Sequence, residues 1–296
     1  MTCLGASGNW IMERLWLRNG GAVVSDVAIE GEISAKSLTL EEAIANLRSD
    51  DPSLRYYAAW WVGRFRVSQP DVIAALIESL AYEVDRTEAG AFPLQRNAAR
   101  ALGKLADRSA VPALIRSLAS TDYYVREAAA QALGMLGDDR AVPGLVALLD
   151  GGVAAAVAVP GQPHLVQPYD AVLEALGNLA ATGAIGLVES FTRHEMPKVQ
   201  YAAVRAMYQL TGDAAWGDRL VTALRGPDLQ LRRAVMGDVG AIGYLAGAEA
   251  IAQTQAENSL KLIALKGLAE HPNATPDGQT LTAAGRQILA LMDSLL

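Results

Sequence analysis

The stretch LQRNAARALGKLADRSAVPALIRSLASTDYYVREAAAQALG (94–134) decides the fold. It opens and closes on one ten-residue pattern, an apolar first residue, a run of small residues and a final Ala-Leu-Gly, repeated 31 residues on. Between the two copies lies VPALIRSL (111–118), apolar at i, i+3, i+4 and i+7, the period of a helix with one buried face. The unit is therefore helix A, turn, helix B. Pro112 sits where the first turn of a helix tolerates a missing N–H, and Thr121-Asp122 supplies capping chemistry before helix B.

The same core recurs as LRYYAAWWVG (54–63), PYDAVLEALG (168–177), VQYAAVRAMY (199–208), LRRAVMGDVG (231–240) and LKLIALKGLA (260–269), which makes seven units. Helix A recurs as well, in VPGLVALL (142–149), where Gly137-Asp138-Asp139 forms the preceding turn and Pro143 the first turn. No unit can bury its apolar face alone, so neighbours stack. The expected fold is all-α, an α-α superhelix (α-solenoid) of about seven short HEAT-like repeats. Residues 37–271 form the solenoid, 1–36 an N-terminal extension, and 272–296 a tail with a short helix. Two insertions interrupt the period, near Glu83–Pro93 and at GGVAAAVAVPGQPHLVQP (151–168). Both fall between helices A and B of their units. The second is too rich in Gly and Pro to continue a helix and more apolar than a solvated loop, so it either packs over a neighbouring helix or lines a ligand site.

Composition narrows the function. A net charge of −7 and only 25 Lys and Arg, with no basic tract, argue against nucleic acid as a partner. One cysteine, Cys3, allows neither a disulfide framework nor a thiolate cluster and fits a reducing, cytoplasmic setting. Arg14 and Arg18 interrupt the only N-terminal apolar run, and no segment approaches the roughly 20 apolar residues of a membrane span. His164, His194 and His271 are scattered singly, and phosphate-loop, zinc-protease and serine-hydrolase motifs are missing.

What remains is decoration on the B helices. Tyr56, Tyr57, Trp60, Trp61 and Phe65 interleave with Arg55, Arg64 and Arg66, and at 100° per residue Tyr57, Trp61 and Arg64 share one face while Tyr56, Trp60 and Gly63 share the next. One of these faces is core. The other is a stacking surface beside guanidinium groups, or else a seal at the end of the solenoid. Arg96 and Arg100, Tyr123, Tyr124 with Arg126-Glu127, and Tyr169-Asp170 with Glu174 continue the pattern, as ion-pair ladders or as ligand contacts.

From Leu38 to Leu268 the chain resembles the E subunits of the E/F-type phycobilin lyases. The resemblance is carried by LRYYAAWWVGRFRV (54–67), DRTEAGAFPLQRNAARALGKL (85–105), PGQPHLVQPYDAVLEALG (160–177), VQYAAVRAMYQLTGD (199–213), DLQLRRAV (228–235) with GAIGYL (240–245), and AEAIAQTQAENSLKLIALKGL (248–268). It implies an enzyme active only with an F-type partner subunit, adding a cysteine thiol of the phycocyanin alpha subunit across the ethylidene group of phycocyanobilin. Bilin would be the substrate, with no cofactor and no metal. Matching the chemistry of a bilin to these residues assigns Asp170 or Glu174 to the pyrrole nitrogens, Arg64, Arg66 and Arg100 to the propionates, and Tyr57, Trp60 and Trp61 to the conjugated body, with Tyr124, His164 and Tyr169 as further contacts. The Asn-His-Cys motif of bilin-isomerising relatives is absent, so isomerisation is not expected. Two rival readings are a non-catalytic scaffold for the phycobiliprotein or the F-type partner, and a chromophore-detaching factor.

Overall fold

The computed structural model describes residues 38–296 except 89, 277 and 279; the N-terminal extension with Cys3, Arg14 and Arg18 lies outside the described residues. Sixteen α-helices alternate with short turns, and one isolated antiparallel bridge, Ala158 to Leu165, is the nearest thing to a strand among the described residues. The chain divides into two compact units, one running to Phe191 and one from Thr192.

In the first unit the A–B pairs are α1 (Leu40–Leu47) with α2 (Pro52–Phe65), α3 (Pro70–Ser79) with α4 (Pro93–Leu105), α5 (Val111–Ser117) with α6 (Tyr123–Leu136), and α7 (Val142–Ala147) with α9 (Tyr169–Asn178). A four-residue turn of helix, α8 (Gly152–Ala155), falls within the second insertion, and α10 (Ile185–Ser190) closes the unit. As its glycines lead one to expect, the insertion does not continue α7. Gly151 at φ 80° reverses the chain after α7, which lets a new turn start from Gly152.

Several B helices start or stop by local chemistry. Asp51 and Asp122 accept hydrogen bonds from the backbone N–H two residues on, at 2.8 and 2.7 Å, satisfying donors that the first turn leaves open. Gly137 ends α6 in the left-handed conformation. Pro112 and Pro143 stand in the first turns of α5 and α7, where no N–H is needed.

The B helices α2, α4, α6 and α9 lie side by side in that order. Their seams are made of small residues: a Cβ on Gly63 would fall 3.0 Å from the Cα of Ala101, one on Gly103 2.8 Å from that of Ala132, and one on Gly134 2.9 Å from that of Ala175. The recurrent Ala-Leu-Gly is thus a contact surface that brings backbones close enough to exclude side chains. Leucines at its centre, Leu102, Leu133 and Leu176, are wholly buried.

The aligned core has a second structural use. Its second residue is Arg55, Arg126 or Arg232 in three units, and each donates to the carbonyl six residues back, Ser49, Ser120 and Gly226. Each also reaches forward into the next unit, Arg55 to the Asp85 carboxylate, Arg126 to Gln167 Oε1 and the Val166 carbonyl, and Arg232 to the Gln255 carbonyl. One guanidinium holds its own turn and its neighbour's, a use of five donors that lysine cannot copy.

The second unit contains α11 (Pro197–Thr211), α12 (Ala214–Ala223), α13 (Leu229–Ile242), α14 (Ala248–Gln253), α15 (Asn258–Glu270) and α16 (Ala283–Asp293). The last helix lies against α14 and α15 and buries Ile288, covering the apolar face that a following repeat would have covered.

Candidate functional site

The third and seventh residues of the aligned core are one helical turn apart and share a face of each B helix. Across α2, α4, α6 and α9 they read Tyr56 and Trp60, Arg96 and Arg100, Glu127 and Gln131, Asp170 and Glu174. Adjacent helices therefore present an aromatic pair, a cationic pair and then acids. Exposure falls along the strip: Trp60 is 48% exposed, Arg96 and Arg100 are half-buried, and Asp170 and Glu174 are 5% and 8% exposed.

The charges sense one another. Burial, and then the charge of Arg96, hold the Arg100 guanidinium below its ordinary pKa, against the pull of Glu127. Burial, and then the charges of Arg100, Arg64 and Arg66, lower Lys104, which extends the cationic ground to the end of α2. Burial, followed by Asp170 and Glu127, raises the Tyr123 phenol, so that it stays a hydrogen-bond donor across the physiological range.

The second insertion folds as a hairpin against this strip. Val159 donates to the His164 carbonyl at 3.1 Å and Val166 to the Val157 carbonyl at 3.0 Å, while Ala156 and Leu165 are buried. His164 stacks on Tyr123 with centroids 4.0 Å apart and planes 9° from parallel. Tyr124 meets both rings edge-on and carries the Arg96 guanidinium over its face at 4.8 Å. Arg126 ties down the hairpin's far end through Gln167 and Val166, at 2.8 and 2.9 Å.

Of the residues singled out from sequence, Trp60, Arg100, Tyr124, His164, Asp170 and Glu174 come together on or beside this strip. Tyr57, 41% exposed, packs on Trp60 with centroids 5.7 Å apart. Arg64 is exposed in the last turn of α2, and Arg66 caps that helix in the left-handed conformation.

Two expectations need correction. Trp61 is only 8% exposed and packs on Phe65, because it lies on the side of α2 that meets the interior. Tyr169 is 1% exposed and stacks on Phe191 at 5.5 Å, so its ring belongs to the core. Neither offers a face to a ligand. Conversely, Arg96, Tyr123 and Glu127, which the sequence marks only as part of the general decoration, stand on or beside the strip as well. The third column of the repeat alignment holds Arg96 and Glu127, and was the signal available for both. No group of three or more His, Cys, Asp or Glu suited to a metal occurs among the described residues, and no described helix is long and apolar enough to cross a membrane.

Comparison with known proteins follows the same lines. The PBS lyase HEAT-like repeat family matches residues 54–82, and the HEAT repeats family matches residues 86–158. The phycocyanobilin lyase subunit alpha of Synechocystis sp. strain PCC 6803 is 61% identical over 262 residues, covering 87% of this chain and 96% of its own. That of Nostoc sp. strain PCC 7120 is 60% identical, covering 88% and 94%. The solved complex of CpcE and CpcF of phycocyanin lyase from Nostoc sp. PCC7120 contains a chain 57% identical to this one, with a TM-score of 0.83 over 92% of this chain and 99% of that one.

Proposed function

The chain belongs to the family of phycocyanobilin lyase alpha subunits, and from that premise we propose how its strip of aromatic, cationic and acidic residues handles a bilin. It is one subunit of a heterodimeric bilin lyase, acts with an F-type partner and takes phycocyanobilin as substrate. The acceptor in our reading is a cysteine of the phycocyanin alpha subunit. Its thiol adds across the ethylidene double bond: a carbon–sulfur bond forms at the exocyclic carbon, and the thiol proton ends on the adjoining ring carbon. This addition conserves electrons, so it calls for neither a redox cofactor nor a metal. The chain's single cysteine among 296 residues suits the reducing cytoplasm in which we place the reaction.

The observation that carries the reading is the order of side chains from α2 to α9. A bilin is a flat conjugated tetrapyrrole with two propionates and four ring nitrogens. Tyr57 and Trp60 supply π-faces for its body, and Arg100, with Arg64 and Arg66 at the end of α2, supplies charge for its propionates. Tyr124 and His164 wall the middle of the strip. Asp170 and Glu174 supply carboxylates for the pyrrole nitrogens; a carboxylate there favours the protonated bilin, whose ethylidene carbon is the better electrophile.

The test is Asp170→Asn, a swap of nearly equal shape that removes the charge. With the F-type partner present, thioether formation followed by absorbance is expected to slow about 100-fold while bilin still binds. Wild-type rates would remove Asp170 from the chemistry. If bilin binds to the partner alone and this chain adds nothing to affinity or rate, the chain is a scaffold.

A further inference from the structure

Among the described arginines that are buried or half-buried, Arg96 and Arg100 stand apart in having no acceptor of their own; Arg64, Arg86, Arg116, Arg193 and Arg225 lie exposed to water. Arg55 pairs with Asp85, Arg48 with Glu78 at 3.3 Å, Arg140 with Asp138 at 2.8 Å and Arg233 with Glu257, while Arg108, Arg126, Arg219 and Arg232 donate to carbonyl groups. Arg96 and Arg100 make no hydrogen bond or ion pair among the described residues, and the Nε of Arg96 is buried without an acceptor.

That arrangement is unfavourable in the free protein. Two like charges at i and i+4 on a helix repel each other, and the half-buried setting strengthens the repulsion. A buried N–H without an acceptor adds to the cost. Nevertheless Arg96 is held in place: Tyr124 supports its guanidinium from below, and the Tyr123–His164 stack supports Tyr124. With Arg96 held on Tyr124 and both guanidinium groups left without acceptors, the donors await a planar anion from outside. A carboxylate matches a guanidinium fork edge to edge. The nearby Glu127 and Asp170 weigh against a compact multivalent anion.

Resting on the bilin reading above, we propose that Arg96 and Arg100, with Arg64 and Arg66 adding only charge from the exposed end of α2, form a two-armed carboxylate clamp that fixes the propionates of the tetrapyrrole, with Tyr124 and His164 as positioning residues for Arg96. The clamp makes the free propionates a condition of recognition, so the chain selects tetrapyrrole diacids over neutral pigments of the same shape.

The experiment uses this chain in complex with its F-type partner, titrated by absorbance with phycocyanobilin and with its dimethyl ester. The diacid is expected to bind about tenfold or more tightly than the ester. R96Q and R100Q each bring the diacid toward the ester's affinity and leave the ester's own affinity unchanged; R96K and R100K recover only part of the difference, because lysine offers no fork. The uncomplexed R96Q chain is expected to unfold at a midpoint equal to or above that of wild type, a sign opposite to that of a structural arginine. Equal binding of diacid and ester by wild type overturns the clamp while leaving the bilin reading standing, and needs no variant to fold. Binding of neither overturns both.

Discussion

Trp60 leaves 48% of its surface exposed and Trp61, the next residue, 8%. Trp61→Ala therefore removes a buried ring and should destabilise the chain by about 3–5 kcal/mol in denaturant unfolding, with little change in bilin affinity of the folded protein. Trp60→Ala should do the reverse, leaving stability within about 0.5 kcal/mol and weakening bilin binding. Equal loss of stability in both would place Trp60 in the sealing role instead. Helical spacing grouped Tyr57, Trp61 and Arg64 on one face and Tyr56, Trp60 and Gly63 on another, but the structure follows neither grouping: Trp61 and Gly63 are buried, while Tyr56, Tyr57, Trp60 and Arg64 are exposed. Packing decides instead: α2 buries the side that carries Ala58, Ala59, Trp61 and Val62, with Gly63 meeting Ala101 of α4 at its edge. Tyr169 was illegible for the same reason. It occupies the repeat column that holds Arg55 and Arg126, and only the packing of Phe191 against it makes that column apolar there.

At the scale of the helix, two substitutions three residues apart in α4 should go against helix propensity. Gly103→Ala gains propensity, yet its Cβ would lie 2.8 Å from the Cα of Ala132, so unfolding studies should show a net loss of about 1–3 kcal/mol. Ala106 ends the helix at φ 58°, the conformation that Gly137 and Gly212 adopt at the ends of α6 and α11. Ala106→Gly should stabilise by about 1 kcal/mol. A loss there would mean that the methyl group packs against something worth more than the strain. Helix starts, proline positions and both insertions were legible in the sequence because each rests on chemistry within a few residues. The hairpin in the second insertion was not. Its anchors, Tyr123 and Arg126, lie about forty residues upstream, and nothing local in GQPHLVQ points to them.

For the molecule as a whole, a repeat array is stable only if its last apolar face is covered. Removing residues 272–296 strips α16 and uncovers the faces of α14 and α15 against which Ile288 packs. The shortened chain should unfold at a lower denaturant midpoint and self-associate in sedimentation, while the strip on α2 to α9, which belongs to the other unit, should be spared. Undiminished stability would show that the tail is an appendage rather than a cap. By itself the sequence determined the all-helical repeat, its period and its insertions, because these are written in local periodicity, caps and turns. It also carried the family, in long strings that no generic repeat shares. Only the tertiary structure decided which decorations form the strip, which aromatics are core, and that Arg96 stands over Tyr124 without an acceptor. Those properties depend on side chains about thirty residues apart or more meeting across helix seams, and a periodicity identical in every unit cannot tell one unit's face from another's.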